Sequence, residues 1–122
     1  MRRIRNRIVY KWLSFKARCQ RFKRGYADED VWNMYDWFID IMQRMLGELA
    51  NGYGYPTSLT EEEWEEILDD MRWTLWHMDE ENIEAELMDE YANDYKLITK
   101  IKNENKDHFF ELFSKWFYHL WD

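Results

Sequence analysis

Apolar positions recur at helical spacing along most of the chain. Ile8, Trp12, Phe15, Cys19 and Phe22 step by 4, 3, 4 and 3, a narrow seam of heptad type, and Ile4 extends it by one turn. The spacing predicts a helix over 3–23, closed by Gly25 as C-cap with Lys23 and Arg24 in its last turn. Asp28 is the predicted N-cap of a second helix, with Glu29 and Asp30 in the first turn. Val31, Tyr35, Phe38, Met42, Met45 and Leu49 line one face of it. Met34, Ile41 and Leu46 widen that face, Trp32 and Trp37 flank it, and Asn51-Gly52 ends it.

Residues 51–59 form the one clear loop, with Tyr53 and Tyr55 set among Gly and Pro. Thr60 opens a third helix with Glu63 three residues on, a capping box. Trp64, Ile67, Leu68, Met71, Leu75 and Met78 carry its core face, and Trp73 and Trp76 lie off that stripe. Beyond Asp79 there is no Gly or Pro. Ile83, Leu87, Tyr91, Tyr95 (or Asp94), Ile98 and Ile101 keep helical spacing, and a break is expected at 103–105. Phe109, Leu112, Phe113, Trp116, Phe117, Leu120 and Trp121 define a last helix expected to run to Asp122. The pattern predicts an all-α protein, a single-domain bundle of four to five helices over 1–122 with an aromatic-rich core. A basic N-terminal helix (3–23) precedes an acidic helical body (28–122).

Composition supports this. Eight Trp, eight Tyr and seven Phe supply core area without many aliphatics, since each ring buries a large surface. One Pro and four Gly argue against a turn-rich β protein. Cys19 is alone, which excludes an internal disulfide and a cysteine metal cluster and fits a reducing, cytoplasmic setting. No apolar run approaches bilayer length, and the basic start is not followed by the apolar stretch of a secretory signal.

Charge is divided more steeply than anything else in the chain. Residues 1–24 hold ten Lys and Arg and no Asp or Glu, which is +10. The remainder holds the other seven basic residues and all 25 acidic ones, which is −18, so the whole carries −8. Such a dipole must be answered by the acidic body or by an anionic partner.

Catalytic signatures are missing. The residues three before His77, His108 and His119 are Thr74, Asn105 and Trp116, so the Glu-x-x-His pairs of a di-iron bundle are absent. Three scattered His and one Cys have no zinc spacing. The carboxylates of 61–70 read as a solvated helix face. Gly52 and Gly54 lack the Lys-Ser/Thr ending of a phosphate loop, and Ser14, Ser58 and Ser114 have no nucleophile elbow. No catalytic or metal-ligating residue and no cofactor is assigned, and the expectation is a protein that is not an enzyme.

Four readings of the basic helix compete. It packs on the acidic body; it binds phosphates; it lies on an anionic membrane; or its seam pairs with another copy. The narrow seam disfavours a membrane, and the −18 body disfavours long nucleic acid. A small anion, a protein partner or a second copy is favoured, and a homo-oligomer is expected.

Three segments together resemble a known pattern: FKRGYADEDVWNMYDWF (22–38), GYPTSLTEEEWEEILDDM (54–71) and FFELFSKWFYHLWD (109–122). They are similar to a family of small helical proteins of phages, prophages and mobile elements of Firmicutes and gut bacteria. Residues 79–106 are not matched. Ala27 stands where the pattern often has Ser, so Asp28 is expected to cap, and Tyr53 replaces a His. The resemblance implies a phage accessory context without an activity. The reading it favours is a non-enzymatic counter-defence protein that sequesters a nucleotide immune signal. Arg18, Arg21, Lys23 and Arg24 would hold phosphates, and Tyr26, Trp32, Tyr53 or Tyr55 would stack on bases. The alternatives are an inhibitor that binds a host defence or DNA-binding protein, and a nucleic-acid-binding virion or replication accessory protein.

Overall fold

The computed structural model describes the backbone of residues 2–121 and the side chains of 5–121. The Ile4 extension of the seam and the expected helical end at Asp122 therefore lie outside what is described. The chain is all-α, with no strand among the described residues. Among the described residues six helices follow one another: α1 (Arg2–Arg24), α2 (Asp28–Trp32), α3 (Met34–Ala50), α4 (Glu61–Trp76), α5 (Glu80–Glu86) and α6 (Tyr95–Trp116). A 3-10 turn, Phe117–His119, follows α6. No helix among the described residues is long and apolar enough to cross a membrane. Packing divides the chain into two units, Met1–Phe38 and Ile39–Asp122.

In the first unit, α1 ends as its sequence predicts. Gly25 has φ +86°, and its N–H donates to the Arg21 carbonyl at 2.8 Å. The next helix starts differently. Ala27, fully buried, occupies the N-cap position, and Asp28 is the first helical residue. Asp30 reaches back to accept from the Ala27 N–H at 2.7 Å, the return bond of a capping box, while Ala27 offers no side-chain acceptor of the kind expected from Asp28. The Asp28 carboxylate instead meets Arg24 and Gln20, which pins it to α1. The predicted second helix is also broken. Asn33 leaves helical geometry (φ −132°, ψ 58°), and its side-chain amide donates to Asp36 at 2.5 Å. One long predicted helix thereby becomes α2 and α3.

In the second unit, α4 opens as predicted. The Thr60 hydroxyl accepts from the Glu63 N–H, the Glu63 carboxylate accepts from the Thr60 N–H, and both distances are 3.2 Å. Trp64, Leu68, Met71 and Leu75 bury one face of α4, with Leu46 from α3, Ile83 from α5, and Ile98 and Phe109 from α6 completing the core. Aromatic rings knit the α4–α6 contact. Trp64 of α4 meets Trp116 of α6 edge-on at 5.8 Å, and within α6 Phe109 stacks with Phe113 at 5.3 Å. His108 to Asp70 (2.9 Å) and Lys102 to Glu80 (2.9 Å) tie α6 to α4 and α5.

The expected break at 103–105 does not occur, since α6 runs through it. Asn105 is accommodated by donating to the Ile101 carbonyl at 2.8 Å. The interruption falls instead at 87–94. There Asp94 becomes an N-cap, accepting from the Leu97 N–H at 3.2 Å, just as Asp79 caps α5 by accepting from Glu81. The last helix also stops earlier than expected, at Trp116.

Candidate functional site

The seam of α1 does not pack within the first unit. Ala17 is buried, Gln20 is half-buried, and Gln20, Arg21 and Arg24 make the contacts to α2. These four lie roughly opposite the seam on the helix. Trp12 and Phe22 on the seam are 61 % and 92 % exposed. The four basic residues assigned to phosphates are thereby divided. Arg21 and Arg24 face α2, whereas Arg18 and Lys23 flank the seam on either side and make no ion pair among the described residues.

Arg21 grips Asp30 at two points, Nε at 3.1 Å and Nη2 at 2.9 Å, and Nη2 also donates to Glu29 at 2.7 Å. The Asp30 hydrogen bond, and then that of Glu29, raises the Arg21 pKa above its ordinary value. The same Arg21 bond holds Asp30 below the ordinary carboxylate range. Asp28 is held low by the hydrogen bond from Arg24 and then by that from Gln20.

Arg24 is arranged to do more. Its Nε donates to the Tyr26 carbonyl at 2.9 Å and its Nη2 to Asp28 at 2.5 Å. Its guanidinium carbon lies 4.5 Å from the Tyr26 ring centroid, a cation–π arrangement. A guanidinium has five N–H donors, and these bonds use two. Beside this pair opens a recess of 320 Å³ lined by Tyr26, Asp30, Val31, Met34 and Trp37. Its walls are mainly apolar, and Asp30 is its one carboxylate.

Of the aromatic candidates, Tyr26 lines the recess, while Trp32, 81 % exposed, does not. Tyr53 and Tyr55 belong to the second unit, in the loop before α4, and both are exposed. Periodicity places Val31, Met34 and Trp37 along one continuous helix. The break at Asn33 separates Val31 from Met34 and Trp37, and no spacing rule announced it.

A second cluster escaped sequence reading. His77, at the C-terminal end of α4, is buried. Its Nδ1 lies 2.8 Å from the Trp73 carbonyl and its Nε2 lies 2.6 Å from a Glu86 carboxylate oxygen. The Trp73 ring lies against it at 4.2 Å. Nδ1 therefore fixes the ring on the last turn of α4, and Nε2 holds α5 against that end. Among the described residues no three His, Cys, Asp or Glu side chains converge as a metal ion would require. No family model, curated protein or solved structure matches the chain.

Proposed function

We propose that the chain is a non-enzymatic binding protein that captures a small nucleotide at the Tyr26–Trp37 recess of the first unit. The observation that carries this reading is a mainly apolar recess of 320 Å³, walled by two aromatic side chains, one of which, Tyr26, carries over its ring an arginine whose bonds among the described residues use only two of five donors. A recess of this size suits a small molecule. A base stacks between flat apolar walls, Asp30 accepts from a base edge, and Arg24 gives its remaining donors to phosphate. Arg21 acts indirectly, by fixing Asp30. The resemblance to small phage and prophage proteins supplies the context: sequestration of a cyclic nucleotide immune messenger, a counter-defence role in the host cytoplasm.

Calorimetric titration of the chain against cyclic mono-, di- and trinucleotides tests this. At least one should release heat with a defined stoichiometry, and Tyr26→Ala should lose it. No heat with any of them at high protein concentration overturns the reading. The exposed α1 seam favours a second reading, a protein-interaction module that inhibits a host factor. A stoichiometric host protein recovered with the chain, and no retained nucleotide, would support that reading over the first.

A further inference from the structure

Apart from the recess, two exposed strips on this chain have opposite chemistry. The first is the seam of α1. Ile8, Trp12, Phe15 and Phe22 are all more than half exposed, and the Trp12 and Phe15 rings sit 6.4 Å apart. Arg7, Lys11 and Arg18 border the seam on one side, and Arg5, Lys16 and Lys23 on the other. None of these six makes an ion pair among the described residues, in contrast to Arg21 and Arg24, which α2 satisfies.

The second strip is the outward face of α4, opposite its buried stripe. Glu62, Glu65, Glu66 and Asp69 run along it and lead to Trp73 and Trp76, which are 60 % and 47 % exposed. Glu62, Glu65 and Glu66 make no ion pair among the described residues, and Asp69 is only loosely paired with Arg72 at 3.7 Å. Trp73 and Trp76 form part of the wall of a shallow recess of 480 Å³.

Each strip carries what the other lacks. One is an aromatic seam between rows of cations, and the other is a row of carboxylates ending in two exposed indoles. Seam-to-seam pairing of two α1 helices would bring like charges together and is disfavoured. A polyanion or an anionic lipid surface would meet the −18 of residues 25–122. A second copy of the chain offers the matching strip and gains from both charge sets. We infer that α1 of one copy docks along the outward face of α4 of a second copy, and reciprocally, so that Trp12, Phe15 and Phe22 meet Trp73 and Trp76 while the flanking cations meet Glu62, Glu65 and Glu66. Such a contact is isologous, since each strip meets its complement on the partner. Arginines beside exposed indoles add cation–π attraction.

Sedimentation velocity on the full chain, at low and high salt, tests the pairing. The expected result is a dimer at low salt whose Kd rises by about tenfold or more at high salt, as screening of exposed charges requires. Phe15→Glu breaks the seam, and the pair Glu65→Lys with Glu66→Lys breaks the α4 face. All three positions are exposed, so each variant should stay helical, which circular dichroism checks. Each variant alone should be monomeric. Mixed in equal amounts they should form a heterodimer weaker than the wild-type dimer, because one intact seam then meets one intact face. Carbodiimide cross-linking of mixed heavy- and light-isotope wild-type chains should join α1 lysines to α4 carboxylates across chains. A monomer at every concentration overturns the inference. So does a dimer indifferent to the α4 substitutions, or a monomer that sediments with phosphatidylglycerol vesicles.

Discussion

Arg21 and Asp30 meet through two hydrogen bonds, 3.1 and 2.9 Å, that join the end of α1 to the first turn of α2. Asp30 also accepts from the Ala27 N–H, so one carboxylate caps the short helix and anchors the long one. Because the same Asp30 lines the recess, the geometry proposed for ligand capture depends on this pair. Asp30→Asn keeps the shape and removes the charge. It should weaken nucleotide binding by about tenfold or more, as loss of a charged hydrogen-bond network does, and calorimetry reads this directly.

The junction should also be acid-sensitive. Arg24 and Gln20 hold Asp28, and Arg21 holds Asp30, below the ordinary carboxylate range. A carboxylate whose folded pKa is depressed stabilises fully above its unfolded value of about 3.9 and loses that contribution as pH falls through the folded value. The α1–α2 packing should therefore be constant near neutrality and loosen only in strong acid. An acid titration followed at the Trp32 indole N–H resonance checks this, and Asp30→Asn should reduce the change.

Within the second unit, Thr60→Ala should lower stability by about 1 kcal/mol, because it leaves the Glu63 N–H without its partner. Thermal unfolding measures the loss. Thr60→Ser should restore most of it, since the hydroxyl acceptor is retained.

Trp64 should respond unevenly to substitution. It is 2 % exposed, packs against Trp116, and its buried indole N–H has no hydrogen-bond partner among the described residues. Trp64→Ala should cost about 3–5 kcal/mol through the cavity it opens. Trp64→Phe removes the orphan donor together with some volume, and should cost well under half as much. Denaturant unfolding of the two variants decides this.

His77→Ala should destabilise by about 1–3 kcal/mol, since it removes a buried ring and the bond to Glu86 that joins α5 to the end of α4. Hydrogen exchange should show the loss first in α5, which this side chain holds to the end of α4.

Local signals were legible where they were self-contained. Gly25 and the Thr60–Glu63 box each specify a helix end through their own backbone and side chains, and both stand where the pattern put them. The buried stripe of α4 followed from spacing because one packed neighbourhood covers it. The choice of packing face on α1 was not legible. The seam is the more apolar side, but small Ala17 lets the chain return closely after Gly25, and three polar side chains find partners there. The breaks at Asn33 and 87–94 were hidden for a related reason. Asn33, Asp79 and Asp94 are ordinary polar residues until a neighbouring N–H or carboxylate makes them caps. Arg21, Arg24 and Tyr26 of the predicted ligand set are gathered at α2, while Arg18, Lys23 and Trp32 point to other faces and Tyr53 and Tyr55 lie in the other unit.

The most direct test of nucleotide capture is the indole region of a ¹⁵N-labelled spectrum. The eight tryptophans give eight indole N–H signals, one of which, Trp37, belongs to the recess. Cyclic mono-, di- and trinucleotides are titrated in turn. The account predicts that at least one of them shifts the Trp37 signal saturably and leaves the buried Trp64 signal in place, with the Trp37 response lost in Tyr26→Ala. No movement of Trp37 with any of them, or movement confined to Trp73 and Trp76, would contradict it.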